Sequence, residues 1–119
     1  GGAIEGGQIF ALTDEGEGGT LEVFACSADR TEMDMPDNVC IGPEGTLLFV
    51  EDGPDHDYVR VVTADGEIAA FARNAASESE MCGVCFSPDG RALFVNLQRE
   101  GLTLAIEGPW LADGTYGRG

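Results

Sequence analysis

The sequence predicts an all-β fold assembled from β-propeller blades: about two blades' worth of four-stranded antiparallel sheets, a fragment of a larger propeller. Three observations lead there. The stretch DNVCIGPEGTLLFVEDG (37–53) recurs as MCGVCFSPDGRALFVNLQ (81–98), with Val39/Val84, Cys40/Cys85, Pro43/Pro88, Gly45/Gly90, Leu48/Leu93, Phe49/Phe94 and Val50/Val95 each 45 residues apart. A period of about that length with several short strands per repeat is the sequence signature of propeller blades. Eighteen glycines and five prolines in 119 residues imply many turns, and no segment sustains a helical period.

The elements follow in order. Runs of β-branched and aromatic residues bounded by Gly, Pro, Asp and Asn mark strands. By that rule strands fall at 7–12, 20–25, 38–42, 46–51, 57–63, 66–72, 83–87, 92–97 and 103–107. PEG (43–45) and PDG (88–90) are tight turns, and ADG (64–66) closes another hairpin. Proline pre-sets φ at the first corner of such turns and glycine accepts positive φ. EGEGG (15–19) and NAASESE (74–80) read as loops. Upstream of the main repeat, GQIFALT (7–13) resembles DYVRVVT (57–63), and GGTLEVFA (18–25) resembles DGEIAAFA (65–72).

These strands form one unit over 1–119, the C-terminal part of a propeller domain with a repeat period of 45. A complete blade covers about 38–72, flanked by partial blades over about 7–25 and 83–107. Two blades alone would leave large apolar faces in water. The remaining propeller blades are therefore expected upstream of Gly1.

Charge narrows the partners. There are 22 acidic residues against 6 basic ones, all arginine, for a net charge of −16. Such a surface repels nucleic acid and anionic membranes, so neither is expected as a partner, and it attracts cations. No apolar run approaches membrane-spanning length. The four cysteines do not decide a redox compartment. Cys82-x-x-Cys85 has the spacing of a redox or zinc half-site, but no second pair completes it. Cys40 and Cys85 recur at one repeat position on predicted strands, where small buried residues are expected.

The ordered motifs PDN (36–38), EDG (51–53), FARN (71–74), E-x-x-G-x-x-FSPDG-x-x-LFVN-x-Q (80–98) and GPW (108–110) resemble the C-terminal end of PhoX-type alkaline phosphatases, over roughly residues 5–110. That family comprises secreted, usually Tat-exported bacterial phosphatases with a β-propeller fold. The resemblance implies hydrolysis of phosphate monoesters at a calcium–iron cluster, Ca²⁺ with Fe³⁺, held at one end of the propeller channel. It implies a secreted or periplasmic location and a phosphate ester substrate for the full-length parent. Further ligands would come from upstream blades, so the 119-residue chain alone is expected to be inactive.

Carried onto this sequence, the motifs nominate Glu80, Asp37 and Asn38 as metal ligands. Pro36-Asp37-Asn38 and Glu80-Met81-Cys82-Gly83 fall at comparable rims of neighbouring blades. Converging carboxylate and amide oxygens suit Ca²⁺, and Glu80 also suits Fe³⁺. No catalytic residue is nominated, because no G-x-S-x-G, P-loop or Ser–His constellation occurs. Glu51 and Asp52 read as a solvated loop, Asp89 as a turn residue, and His56, the only histidine, as a surface side chain. Two other readings stay open at this point: a calcium-dependent lactonase or esterase propeller, and a non-catalytic propeller segment acting as an interaction module.

Overall fold

The structure is a computed structural model that describes residues 6–63 and 65–108. It contains β1 (Gln8–Asp14), β2 (Gly19–Cys26), β3 (Pro36–Ile41), β4 (Leu47–Glu51), β5 (Tyr58–Val62), β6 (Ile68–Arg73), β7 (Met81–Phe86), β8 (Ala92–Leu97) and β9 (Leu102–Glu107). Among the described residues, the only helical turn is a short 3-10 segment at Pro43–Gly45. Strands pair antiparallel and in chain order, giving a first sheet β1-β2, a second β3-β4-β5-β6 and a third β7-β8-β9. The fold is all-β, and face-to-face sheets in chain order are consistent with successive propeller blades. Pro109 and Trp110 of GPW, and residue 64 of ADG, lie outside the described residues.

Each expected strand is present. Two of them, β3 and β7, start two residues earlier than expected, because bulges let pairing resume beyond the point where the sequence pattern breaks. β3 skips from Val39↔Phe49 to Pro36↔Glu51, and β7 skips from Cys85↔Phe94 to Cys82↔Asn96.

The second sheet is covered on both faces. Leu48, Val50 and Val59 meet Met81, Val84, Leu93, Val95 and Leu97 of the third sheet in one core. On the opposite face, Phe49 and Val62 meet Ile9 and Ala25 of the first sheet and Met33 from the β2–β3 loop. Leu-Leu-Phe-Val (47–50) is a continuous apolar run for this reason, since a strand buried on both faces has no solvent side to make polar. Phe49 is wholly buried, and truncating such a side chain typically costs about 3–5 kcal/mol.

The structure departs from the sequence repeat in one respect. A fixed spacing of 45 makes Leu48 and Val50 the counterparts of Leu93 and Val95, which should then face the same way around the stack. Instead the two pairs point at each other across the same core. The cause is turn length. Gly42 N–H bonds to Thr46 in the first turn, whereas Ser87 N–H bonds to Ala92 in the second, one residue longer. Cys40 accordingly pairs with Leu48, but Cys85 pairs with Phe94. A slip of one residue moves every side chain of a strand to the other face. Cys85 keeps the orientation of Cys40, on the face turned away from the preceding sheet; Cys40 is half-buried there against the third sheet, whereas among the described residues no sheet covers Cys85, which is exposed. The expectation of a buried Cys85 thus fails.

The slip changes what the central strands carry. In the register that matches Ile41 to Phe86, the places of Glu51 and Arg60 in the second sheet are taken by Leu97 and Leu104 in the third. Glu51 is therefore not part of a solvated loop, as its motif suggested; it ends β4 only 2% exposed. Its Oε1 accepts from Arg60 Nε and from the Asp34 N–H, both at 2.9 Å, and its Oε2 accepts from the Tyr58 N–H at 3.1 Å. Arg60 also donates to the Thr31 carbonyl and lies over the Tyr58 ring. A buried ion pair survives only with its remaining donors and acceptors satisfied, and this one has them.

Removing one partner strands the other. Glu51→Ala is expected to lower unfolding free energy by about 3–5 kcal/mol, read as a lower urea midpoint. Glu67→Ala, at an exposed position, should change it by less than about 0.5 kcal/mol. Equal midpoints for the two variants would show that the Glu51 network contributes nothing.

Candidate functional site

β3 and β7 run side by side, and both begin at the same end of the stack. Their relative height is fixed by one side chain. Asn38 Oδ1 accepts the Gly83 N–H at 2.7 Å, joining residues 45 apart in sequence. Gly83 has φ of +64°, and a Cβ there would lie 2.6 Å from Asn96 Nδ2, so the position demands glycine on both counts. Asn96 donates to the Cys82 carbonyl and accepts from the Thr103 hydroxyl. The bulge of β7 is thus held by the second sheet on one side and by its own sheet on the other.

The loop leading into β7 is tied down as firmly. Asn74 Nδ2 donates to the Ser79 carbonyl at 3.1 Å, and Ser79, 1% exposed, accepts the Arg99 N–H on its hydroxyl at 2.9 Å. The Gln98 N–H donates to the Glu80 carbonyl at 3.0 Å. Glu80 therefore leaves a fixed backbone, half-buried, at the end of the stack where β3 also starts.

Electrostatics show what faces Glu80. Partial burial, and then the negative charges of Asp52 and Asp37, hold its carboxyl above the usual glutamate range. Asp57, almost fully buried at the start of β5, is pushed up to about 6 by burial. The Gly53 N–H, donated to its Oδ1 at 2.9 Å, partly offsets this, while Asp52, Glu51 and Glu80 add to it. Asp37, Asp52, Asp57 and Glu80 form an acidic rim in which the charges oppose one another.

Of the expected ligands, Glu80 and Asp37 come together here. Asn38 lies beside them, but its side chain already joins the two inner strands. An amide oxygen has two lone pairs, so that bond leaves one unused. Sequence reasoning missed Asp52 and Asp57. Asp52 is exposed, as expected of the loop, yet it is one of the charges felt by Glu80. Asp57 was hidden in the hydrophilic string Asp55-His56-Asp57, and the signal that distinguishes it is its place directly before the apolar run of β5.

A cleft of about 320 Å³ opens next to the rim, between the β2–β3 and β4–β5 loops. His56 lines it and is exposed, as expected. Arg30 and Arg60 line it too, but Arg30 pairs with Asp34 and Arg60 with Glu51. Neither guanidinium is poised for an anion.

Among the described residues, no group of three or more His, Cys, Asp or Glu side chains stands arranged to hold a metal ion. The rim fits a hard cation in donor chemistry, since its carboxylates offer only oxygen and their mutual repulsion favours a positive ion.

A family model described as Alkaline phosphatase PhoX matches residues 5–101. The chain belongs to the PhoX alkaline phosphatase family. The PhoX family is one of metal-dependent phosphatases, generally secreted, which act on phosphate esters. No curated protein and no solved structure matches the chain. No helix among the described residues is long and apolar enough to cross a membrane.

Two outcomes test this geometry. Asn38→Ala should cost about 1 kcal/mol and should speed amide exchange at Gly83 more than elsewhere in β7; unchanged exchange there would remove the link between the inner strands. For Asp57 the sign follows from its raised value. The folded state binds the proton more tightly than the unfolded chain, so the ionised carboxylate costs stability above pH 6, and the cost is relieved as pH falls toward 4. Asp57→Asn keeps an acceptor for the Gly53 N–H and removes the charge. Its stability relative to wild type should be higher at about pH 8 than at about pH 4, and parallel urea titrations at the two values would overturn the assignment.

Proposed function

We propose that this PhoX-family chain is the C-terminal segment of a propeller phosphatase that hydrolyses phosphate monoesters. In this reading it contributes Glu80, Asp37 and Asn38 to the binding of Ca²⁺ and Fe³⁺. The observation that carries the reading is the acidic rim, where Asp37, near the start of β3, and Glu80, just before β7, are gathered with Asp52. Like charges gathered on a rigid frame are costly unless a cation joins them. The fixed backbone around Asn38, Gly83 and Ser79 is what a binding site needs, because ligands must be held before the ion arrives.

In that role Glu80 is the principal anionic ligand from the third sheet. Asp37 is its counterpart from the second, and Asn38 both sets their spacing and offers its remaining lone pair. Bound cations would supply Lewis acidity, an activated water and charge to offset a phosphate ester's repulsion from a chain of net charge −16. The rim's own residues do the rest: they position the ions and hold the two inner strands at one height. Missing ligands belong to blades upstream in the same protein, so the 119-residue chain is inactive alone. Export to the periplasm or the medium completes the proposal, following the family's general habit.

The test is turnover of p-nitrophenyl phosphate by the longer enzyme with Ca²⁺ present. Glu80→Ala should lower it by roughly 100-fold or more, with a matching loss of bound metal measured by elemental analysis. Full turnover and full metal content in that variant would sink the ligand assignment.

A further inference from the structure

The cleft beside the rim contains a charged group that the proposed metal ligands leave unused. Two arginines and four carboxylates line it. Arg60 pairs with Glu51 and Arg30 with Asp34. Both Glu51 oxygens are taken, by Arg60, the Asp34 N–H and the Tyr58 N–H. Asp55 lies on the exposed loop. That leaves Asp57, which is 4% exposed.

Asp57 is fixed on every side but one. Its carbonyl accepts the Asn74 N–H at 3.2 Å, and its Oδ1 accepts the Gly53 N–H at 2.9 Å. Gly53 is itself held close, since a Cβ there would lie 2.5 Å from Asp34 Oδ2. Oδ2 of Asp57 accepts from no donor among the described residues, yet none of their fully enclosed side-chain oxygens lacks a partner. Oδ2 therefore still touches open space, and the space that Asp57 lines is the cleft. One oxygen of an almost enclosed carboxylate is thus aimed into a volume of about 320 Å³, room for a small organic group.

The chemistry of the occupant follows from this lining. An anion meets two guanidiniums that are already paired and an excess of carboxylates. A divalent metal ion needs several converging oxygens, and the cleft offers one. A neutral hydroxyl satisfies the oxygen's lone pair but leaves its charge uncompensated. Burial and the charges of Asp52, Glu51 and Glu80 make that charge costly, and a charge-assisted N–H donor relieves both deficits at once.

We propose that this cleft binds an ammonium group, and that in the longer enzyme the ammonium belongs to the substrate, a phosphate monoester of a short amino alcohol. Its N–H is donated to Asp57 Oδ2 while its phosphate lies at the rim. Asp52 of the rim and Gly53 of the cleft are chain neighbours, so the two share a wall. A short amino alcohol, with its charged ends only a few bonds apart, suits such neighbours. The ammonium site rests on the cleft alone; the substrate assignment rests on the proposed phosphatase reading as well.

The binding test uses the 119-residue chain in about 0.15 M salt, which screens its overall charge. Ethanolamine should shift the Gly53 and Tyr58 amide resonances to saturation, and ethylene glycol should not. Asp57→Asn, which keeps an acceptor for the Gly53 N–H, should weaken ethanolamine binding about tenfold or more. In the longer enzyme, the same substitution should lower kcat/KM for O-phosphoethanolamine about tenfold relative to that for p-nitrophenyl phosphate. The ammonium site fails if ethanolamine shifts neither amide, if ethylene glycol shifts both equally, or if Asp57→Asn binds as tightly as wild type. Binding with an unchanged ratio of kcat/KM overturns the substrate assignment and shows that the cleft holds a free amine. A longer enzyme that hydrolyses neither ester overturns the phosphatase reading and the substrate assignment together, while the titration decides the ammonium site by itself.

Discussion

The second sheet has no polar face, and the rest of the structure follows from covering it. A four-stranded sheet with Leu48 and Val50 on one side and Phe49 and Val62 on the other must be enclosed twice. The third sheet does this on one side. On the other, β1, β2 and Met33 do it over β4, β5 and β6, while Val39 and Ile41 of β3 stay exposed. Burial of apolar area supplies most of the driving force for such stacking. The same demand brings β7 alongside β3, and their starting ends then form the acidic rim. The site is thus a consequence of stacking: two inner strands that begin at one level bring two acidic loop ends together.

The polar contacts tune this arrangement more than they drive it. The Asn38–Gly83 bond is a single interaction of modest net worth. It acts between strands that the core already holds near each other, and its effect is to fix their height. The Glu51–Arg60 pair occupies positions filled by leucines in the next sheet, which shows that the fold does not require charge there. What the pair adds is an anchor for the β2–β3 loop, through the Asp34 N–H and the Thr31 carbonyl. That loop delivers Met33 to the core and leads into β3.

Much of this was legible in the sequence because it is local. Nine strands, the PEG and PDG turns and the offset between inner strands all follow from alternation, β-branching and the positions of Pro and Gly. The turn length was not legible. PEG and PDG look alike, and only the bond from Gly42 to Thr46, against that from Ser87 to Ala92, shows that the second turn is one residue longer. That difference decides which face each side chain of β4 and β8 occupies. It is why Glu51 is buried, against expectation; Cys85 is exposed for another reason, because no described sheet covers the outer face of the third. That Glu80 and Asp37 fall near each other was legible from their motifs, which place them at comparable ends of neighbouring strands. Asp57 was not, because its burial depends on packing that no local pattern encodes.

The rim also has an internal logic that bears on how carboxylates are gathered at low cost to the fold. Four carboxylates at the end of a stack would be destabilising if they were mobile and dry, and ineffective if they were mobile and wet. Here the two exposed members, Asp37 and Asp52, keep their solvation. The two more buried ones, Glu80 and Asp57, have their carboxyls shifted toward the protonated form. Burial and repulsion therefore fall on groups whose backbones are tied by Ser79, Gln98, Gly53 and Asn74. A cation entering the rim would displace protons from the groups most inclined to hold them, so its binding should tighten as pH rises through the range in which Asp57 ionises.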